Sequence, residues 1–259
     1  MNVNSKRVHQ QFRNFERTIQ QYQFKEPFSR FLTQFYKNNR QMGSSDRRMN
    51  SRLCYNYFRL GNSFLDIPVL ERLCIAEFLC EENSPFVAVN KLEWLEKSSL
   101  DEHDKIDFIE AEYGEFLDDV FPSTTLLSPN IEKRLFVESH FTQPNLYIRT
   151  QKGMEDKVKK TLEKNEIPFD ELSDQTLSLP NGVNLQQLKS INGDYEVQDW
   201  SSQRSLNGLI VPSRSSWWDC CAASGGKSLL LLDKEPNIKL LVSDLRLSIL
   251  RNLEERFEN

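Results

Sequence analysis

Hydrophobic positions recur along this chain with two different periods, and the change of period divides it. Near the N-terminus Val8, Phe12, Phe15, Ile19 and Tyr22 recur at steps of three and four, lining one face of a helix with bulky apolar groups. Pro27 starts a second helix, where its missing N–H costs nothing. Phe28, Phe31, Leu32, Phe35 and Tyr36 form the stripe of that helix. Such stripes are core faces, buried against one another, and Arg13, Arg17, Arg30 and Lys37 fall off them toward solvent. Gln41-Met-Gly-Ser-Ser-Asp-Arg-Arg48 is a turn signal, with Asp46 placed to cap a helix running through Tyr57 and Arg59. Further helices are predicted from Pro68 to Leu79, Ala88 to Trp94, Asp101 to Gly114 and around Ile131–Ser139. Residues 1–140 therefore read as an all-helical bundle.

From Pro144 the pattern shortens. Leu146–Thr150, Gln175–Leu179 and Tyr195–Gln198 read as strands, Met154–Asn165 as a helix rich in Lys and Glu, and Leu185–Ile191 as a second helix. Pro180-Asn-Gly182 is a turn. The order suggests a small β-α-β-β-α-β, ferredoxin-like subdomain over residues 141–200. Beyond Trp200 the order is helix, strand, Gly-bearing turn, helix, strand, acidic residue, helix. Ser216–Cys221 and Ile238–Ser243 are the strands, and Lys227–Leu232 and Leu247–Phe257 lie on the helices that follow them. Residues 201–259 thus read as the opening of a doubly wound, Rossmann-like α/β sheet. The fold class expected is α+β, with several domains.

Charge adds an asymmetry that the net value of -5 conceals. Residues 1–59 hold twelve Lys or Arg against Glu16, Glu26 and Asp46, whereas residues 60–140 hold eighteen Asp or Glu against six Lys or Arg. A basic segment in an acidic chain suggests a polyanionic partner, although solvated helix faces produce the same count. No apolar run approaches the ~20 residues that span a bilayer, and the N-terminus lacks the apolar stretch of a signal peptide. The five cysteines, Cys54, Cys74, Cys80, Cys220 and Cys221, include no Cys-x-x-Cys pair. Neither a disulfide framework nor a zinc site is indicated, and a cytoplasmic location is expected.

The chemistry lies at Cys221-Ala-Ala-Ser-Gly-Gly-Lys227. Small side chains let a ligand approach the backbone, and N–H groups at the start of the helix from Lys227 can bind a carboxylate or phosphate. Asp244, at the end of the next strand, is placed to accept hydrogen bonds from both hydroxyls of a ribose. Spacing tests two nucleotide motifs. Gly226-Lys-Ser228 matches the end of a P-loop, but Cys221 occupies its first glycine position; no Gly-x-Gly-x-x-Gly run is present.

Cys221–Lys227 resembles the cofactor motif of the Sun-type RNA (cytosine-5) methyltransferases, usually Cys-Ala-Ala-Pro-Gly-Gly-Lys, with Ser224 in place of Pro. Val197-Gln-Asp-Trp-Ser-Ser-Gln203 resembles the family's Val-Gln-Asp-x-Ala/Ser-Ser-Gln segment. Asp244 and Asn252-Leu253 stand where the family has its ribose-binding Asp and a following helix. The resemblance extends more weakly over Pro144–Arg149 and the helical domain, including Gly43–Arg48. It implies a NusB-like, RNA-contacting helical domain and an S-adenosyl-L-methionine site formed by Cys221, Ala222, Ala223, Ser224, Gly225, Gly226, Lys227 and Asp244. The activity implied is methylation of cytosine C5 in ribosomal RNA by a cytoplasmic protein, monomeric when full length. A transfer-RNA methyltransferase and a non-catalytic RNA-binding or ribosome-assembly protein are the alternatives. Arg13, Arg17, Arg47 and Arg48 are candidate phosphate contacts.

The family's two catalytic cysteines lie after the fourth and fifth strands of its sheet, so by this resemblance they are expected beyond Asn259 and none of this chain's cysteines is expected to act as nucleophile. The chain is expected to stop before that sheet is complete and to transfer no methyl group alone. Cys220 and Cys221 read as structural or cofactor-contacting, and Cys54, Cys74 and Cys80 as buried helix residues. His9, His103 and His140 are isolated and read as surface or capping residues. The acidic run Asp101-Glu-His-Asp104 reads as helix capping, not as a metal site.

Overall fold

Helix α1 (Ser5–Gln21) starts where the Asn4 side chain accepts the Arg7 N–H at 3.2 Å. It buries Val8, Gln11, Phe15 and Thr18, and α2 (Phe28–Asn38) buries Leu32 and Phe35. Both stripes thus face inward as their spacing requires. The structure, a computed structural model, describes residues 4–258, which divide into two units: residues up to Gln143 and residues from Pro144. Asn259, beyond which the family's catalytic cysteines are expected and with which the expected 201–259 domain segment ends, lies outside the described residues.

In the first unit α3 (Ser44–Arg59) packs on α4 (Val69–Cys80), which is buried continuously from Arg72 to Leu79. A helix apolar nearly all round belongs at the centre of a bundle. Around it lie α5 (Pro85–Asn90), a 3-10 turn at Leu92–Lys97, α6 (Glu102–Tyr113), α7 (Leu117–Val120) and α8 (Lys133–Glu138). Phe78, Trp94, Ile106 and Ile109 fill one core cluster, and Phe15, Leu53, Leu73 and Phe86 another. Burying each such side chain is worth roughly 1.5–3 kcal/mol. Gly61 has a required identity: its φ is +55° and a Cβ there would stand 2.0 Å from the Val120 carbonyl oxygen.

Two sequence expectations are corrected here. Asp46 does not cap α3; Gly43 holds the cap position and Asp46 sits in the first turn, where its charge still favours the helix N-terminus. The helix expected from Ala88 to Trp94 is α5 followed by the 3-10 turn, because Ser84 caps and Pro85 starts α5 earlier. The break falls at Lys91, whose Nζ is drawn to Glu71 Oε1 and Tyr113 Oη, each at 3.1 Å.

The second unit opens with an antiparallel sheet built from β1 (Leu146–Thr150), β2 (Asp170–Ser173), β3 (Thr176–Leu179) and β4 (Tyr195–Val197). Helix α9 (Glu155–Lys164) follows β1, and the spatial order β2-β3-β1-β4 is that of a split β-α-β arrangement. Ile148 pairs with Leu177 and Leu146 with Leu179, and Val158 and Leu162 of α9 complete the same core. The second helix expected at Leu185–Ile191 is instead two 3-10 turns, Leu185–Gln187 and Lys189–Ile191, broken at Leu188. After α10 (Trp200–Arg204) come β5 (Ser216–Asp219), α11 (Gly226–Lys234), β6 (Lys239–Val242) and α12 (Leu247–Glu258). β5 and β6 are parallel, Ser216 opposite Lys239 through Asp219 opposite Val242. Overall the chain is α+β, with a helical N-terminal part and a small sheet.

Candidate functional site

The site is the bend between β5 and α11. Asp219, the last residue of β5, accepts the Cys221 N–H at 3.2 Å and the hydroxyl of buried Ser228 at 2.7 Å, so one carboxylate fixes both ends of the turn. The Ala222 N–H donates to the Ser243 carbonyl at 3.0 Å, which continues the β5–β6 pairing into the turn. Two residues then adopt left-handed conformations, Ala223 at φ 48° and Gly225 at φ 85°. Gly225 is the N-cap of α11 and supplies no side chain to the first N–H groups of that helix. Those groups have no partner within the helix and remain available to an anion.

Asp244 lies just past β6, where the sequence places it, with its side chain 8% exposed. One oxygen accepts the Ala223 N–H at 3.0 Å, and the other accepts the Arg246 N–H at 2.9 Å and Nε at 3.1 Å. The Arg246 guanidinium, joined by these backbone N–H groups, holds the carboxyl down at about 2. With Arg246 Nη2 also at 3.3 Å, the four acceptor positions of the carboxylate are filled. Any further group that bonds this carboxylate must therefore displace the guanidinium, whose side chain is 60% exposed.

The Val197–Gln203 segment braces the turn from behind. Buried Gln198 donates to the Gly226 carbonyl at 3.1 Å and accepts from Arg149 Nε at 3.2 Å. Arg149 of β1 also pairs with Asp233 of α11. Buried Gln203 donates to the Gln198 carbonyl at 2.7 Å and accepts from Thr176 Oγ1 of β3 at 2.6 Å. These side chains tie the small antiparallel sheet to α11. A cleft of about 200 Å³ opens here, lined among others by Asp199, Cys221, Ala223, Lys227 and Arg256. Of the residues named from sequence, Cys221 through Lys227 form one turn and Asp244 bonds to it. Asp219, Arg246 and Arg256 were missed; an acidic residue closing the strand before the turn is the signal that points to Asp219.

Cys220 and Cys221 are exposed beside this turn. Cys220 beside it, and then the Asp244 and Asp219 carboxylates, push the Cys221 thiol up, the reverse of what activates a nucleophile. Cys54 and Cys74 are buried and Cys80 half-buried, and burial raises all three thiols, Cys74 to about 12. Asp101 caps α6 by accepting the Asp104 N–H at 2.9 Å, and no metal-holding group occurs among the described residues. His9 and His140 bond backbone carbonyls one turn back. His103 is not isolated: it meets Glu138 at 3.1 Å and Asp107 at 3.7 Å.

The four candidate phosphate contacts divide. Arg13 and Arg48 are exposed. Arg17 is half-buried with its guanidinium over the Phe35 ring, which corrects the expectation that it lies in solvent. Arg47 is half-buried and donates to the Met42 carbonyl at 2.8 Å.

No family model matches the chain. Over 68 residues it is 35% identical to ribosomal RNA small subunit methyltransferase B of Xanthomonas campestris pv. campestris, a stretch covering 26% of this chain and 16% of that protein. The crystal structure of PH0851 superposes on 90% of the chain and 62% of its own with a TM-score of 0.50 at 15% identity. The second likeness concerns the fold alone. In both comparisons the chain spans less than two thirds of the other protein. Among the described residues no helix is long and apolar enough to cross a membrane.

Proposed function

We propose that the chain belongs to an S-adenosyl-L-methionine-dependent RNA methyltransferase of the Sun type, acting on cytosine C5 of ribosomal RNA. The observation that carries this reading is the bond from the Ala223 N–H to Asp244, which joins the Cys221–Lys227 turn to the acidic residue after the next strand. The similarity to a ribosomal RNA methyltransferase supports it. In this reading residues 1–140 are a NusB-like RNA-binding domain, 141–200 a ferredoxin-like subdomain, and 201–259 part of a Rossmann-like methyltransferase domain.

The residues fit the cofactor. Asp244 would offer a carboxylate to the ribose in place of Arg246, and the N–H groups at the start of α11 would hold the methionine carboxylate. Ala222 and Ala223 leave room for close approach, and Lys227 lines the cleft. The cofactor supplies an electrophilic methyl group; the chain's own residues bind and orient it, and none of its cysteines is assigned as nucleophile.

Two measurements test the reading. Calorimetric titration with S-adenosyl-L-methionine is expected to show weak binding that Asp244→Ala abolishes; identical isotherms for both proteins would sink the cofactor assignment. Mapping 5-methylcytosine in a strain lacking the gene is expected to show one small-subunit ribosomal site lost. Loss from a transfer RNA instead would move the substrate, and no loss anywhere would favour a non-catalytic role.

A further inference from the structure

We propose that Arg256 is a positioning residue that holds the Ala223–Gly225 turn in its ligand-ready shape, with Glu196 as its anchor. This rests on the cofactor reading for its functional consequence, but the geometry stands by itself. Arg256 Nη1 donates to the Ser224 carbonyl at 2.5 Å and to the Ser224 hydroxyl at 3.1 Å, and Nη2 pairs with Glu196 of β4. One side chain of α12 thereby reaches two segments far from it in sequence.

The turn needs such a hold. Ser224 sits between two residues at positive φ, a conformation that is strained for Ala223 and persists only where the surroundings impose it. Asp244 holds the Ala223 N–H, and Arg256 holds the Ser224 carbonyl, two peptide groups further along. Helix α12 backs the turn as a unit, because Leu253, Arg256 and Phe257 lie three and four residues apart on one face. A Cβ on Gly225 would meet Leu253 at 3.1 Å and Phe257 at 3.2 Å, so the polar tether and the apolar wall press on adjoining residues.

Charge explains why Glu196 is part of the device. Arg256 lines the cleft and its side chain is 26% exposed, so alone it would place a positive charge against a sulfonium-bearing ligand. Paired with Glu196, 25% exposed, it supplies hydrogen bonds without net charge. The pair thus sets the shape of the turn while leaving the local field to Asp244 and Lys227.

The test is hydrogen–deuterium exchange on the whole chain, comparing wild type with Arg256→Gln, Arg256→Lys and Glu196→Gln. The Gly225 N–H, bonded to the Ala222 carbonyl at 2.8 Å, is the reporter. Arg256→Gln is expected to speed its exchange at least tenfold while amides of β1 and β3 keep their rates. Arg256→Lys and Glu196→Gln should fall between. If Arg256→Gln unfolds the unit, seen as faster exchange in β1 and β3, Glu196→Gln decides alone, since it removes the anchor and keeps the guanidinium. Unchanged exchange at Gly225 in the folded variants overturns the proposal. Titration with S-adenosyl-L-methionine separates the two readings. Wild type that binds while Arg256→Gln binds equally well defeats the positioning role and leaves the cofactor site intact. Wild type that fails to bind defeats the cofactor reading, and the exchange result still judges the tether.

Discussion

At the scale of single residues, two positions carry clear expectations. His103 faces Glu138 and Arg134 of α8 and Asp107 of its own helix, and the hydrogen bond to Glu138, followed by the charge of Asp107, raises its pKa. A raised folded value means that the protonated ring stabilises the fold fully below the unfolded value near 6.5. That contribution disappears as the pH rises through the folded value. Urea titrations at pH 6 and pH 8 should show the wild type losing more stability than His103→Gln over that interval; parallel losses would contradict it. Asp244 works in the opposite sense, its carboxylate contributing above pH 4 and ceasing to contribute as the pH falls toward about 2. Gly225→Ala places a Cβ at φ 85° against Leu253 and Phe257. A loss of roughly 1–3 kcal/mol is expected from the backbone conformation, read as a shift of the urea midpoint at constant slope.

At the scale of elements, the first unit depends on a polar contact inside its apolar centre. Glu77 of α4 is fully buried and accepts hydrogen bonds from Arg52 at 2.7 Å, Asn56 at 2.8 Å and Ser84 at 2.7 Å, joining α3, α4 and the start of α5. Burial raises its pKa in spite of Arg52. Removing the carboxylate leaves the Ser84 hydroxyl without its acceptor and Arg52 and Asn56 with Glu81 alone, so Glu77→Ala is expected to cost about 3–5 kcal/mol. Glu77→Gln, which keeps an acceptor, should cost clearly less; equal losses by chemical denaturation would show that packing, not the hydrogen bonds, is at stake. Helix α1 was legible in sequence through its apolar period and α6 through its Asp101 cap, whereas α3 was expected with a different cap and α5 with different bounds. Strand β2 was not legible: all four of its residues, Asp170–Ser173, are exposed, so burial leaves no alternation to find. The turn at Cys221–Lys227 was legible through its small residues, whereas its braces were not. Glu196, Gln198 and Arg256 act across 28 to 60 positions of sequence, a distance that no local pattern encodes.

At the scale of the whole molecule, the basic N-terminal segment invites the question of which charges are available to a polyanion. Counting alone gave twelve cations in the first 59 residues. The structure spends some of them internally: Arg17 stacks on Phe35, Arg47 bonds the Met42 carbonyl, and Arg52 pairs with Glu77. Of the four arginines Arg13 and Arg48 are exposed, so under the proposed function these two, with other exposed cations such as Lys6 and Lys37, would be the ones to release counterions from RNA. Replacing either with Gln should lower the slope of log affinity against log salt by about 0.7 for a single-stranded RNA, with thermal unfolding unchanged. Arg17→Gln and Arg47→Gln should behave conversely, lowering the unfolding midpoint through lost packing while leaving the salt slope nearly as it was. Filter binding over a salt series, alongside thermal melts of the same proteins, distinguishes the two classes. A slope that falls equally for all four would mean that the helical unit rearranges when RNA binds. A slope that falls for none would remove the phosphate role from these arginines, and the segment's charge would then serve only its helix faces.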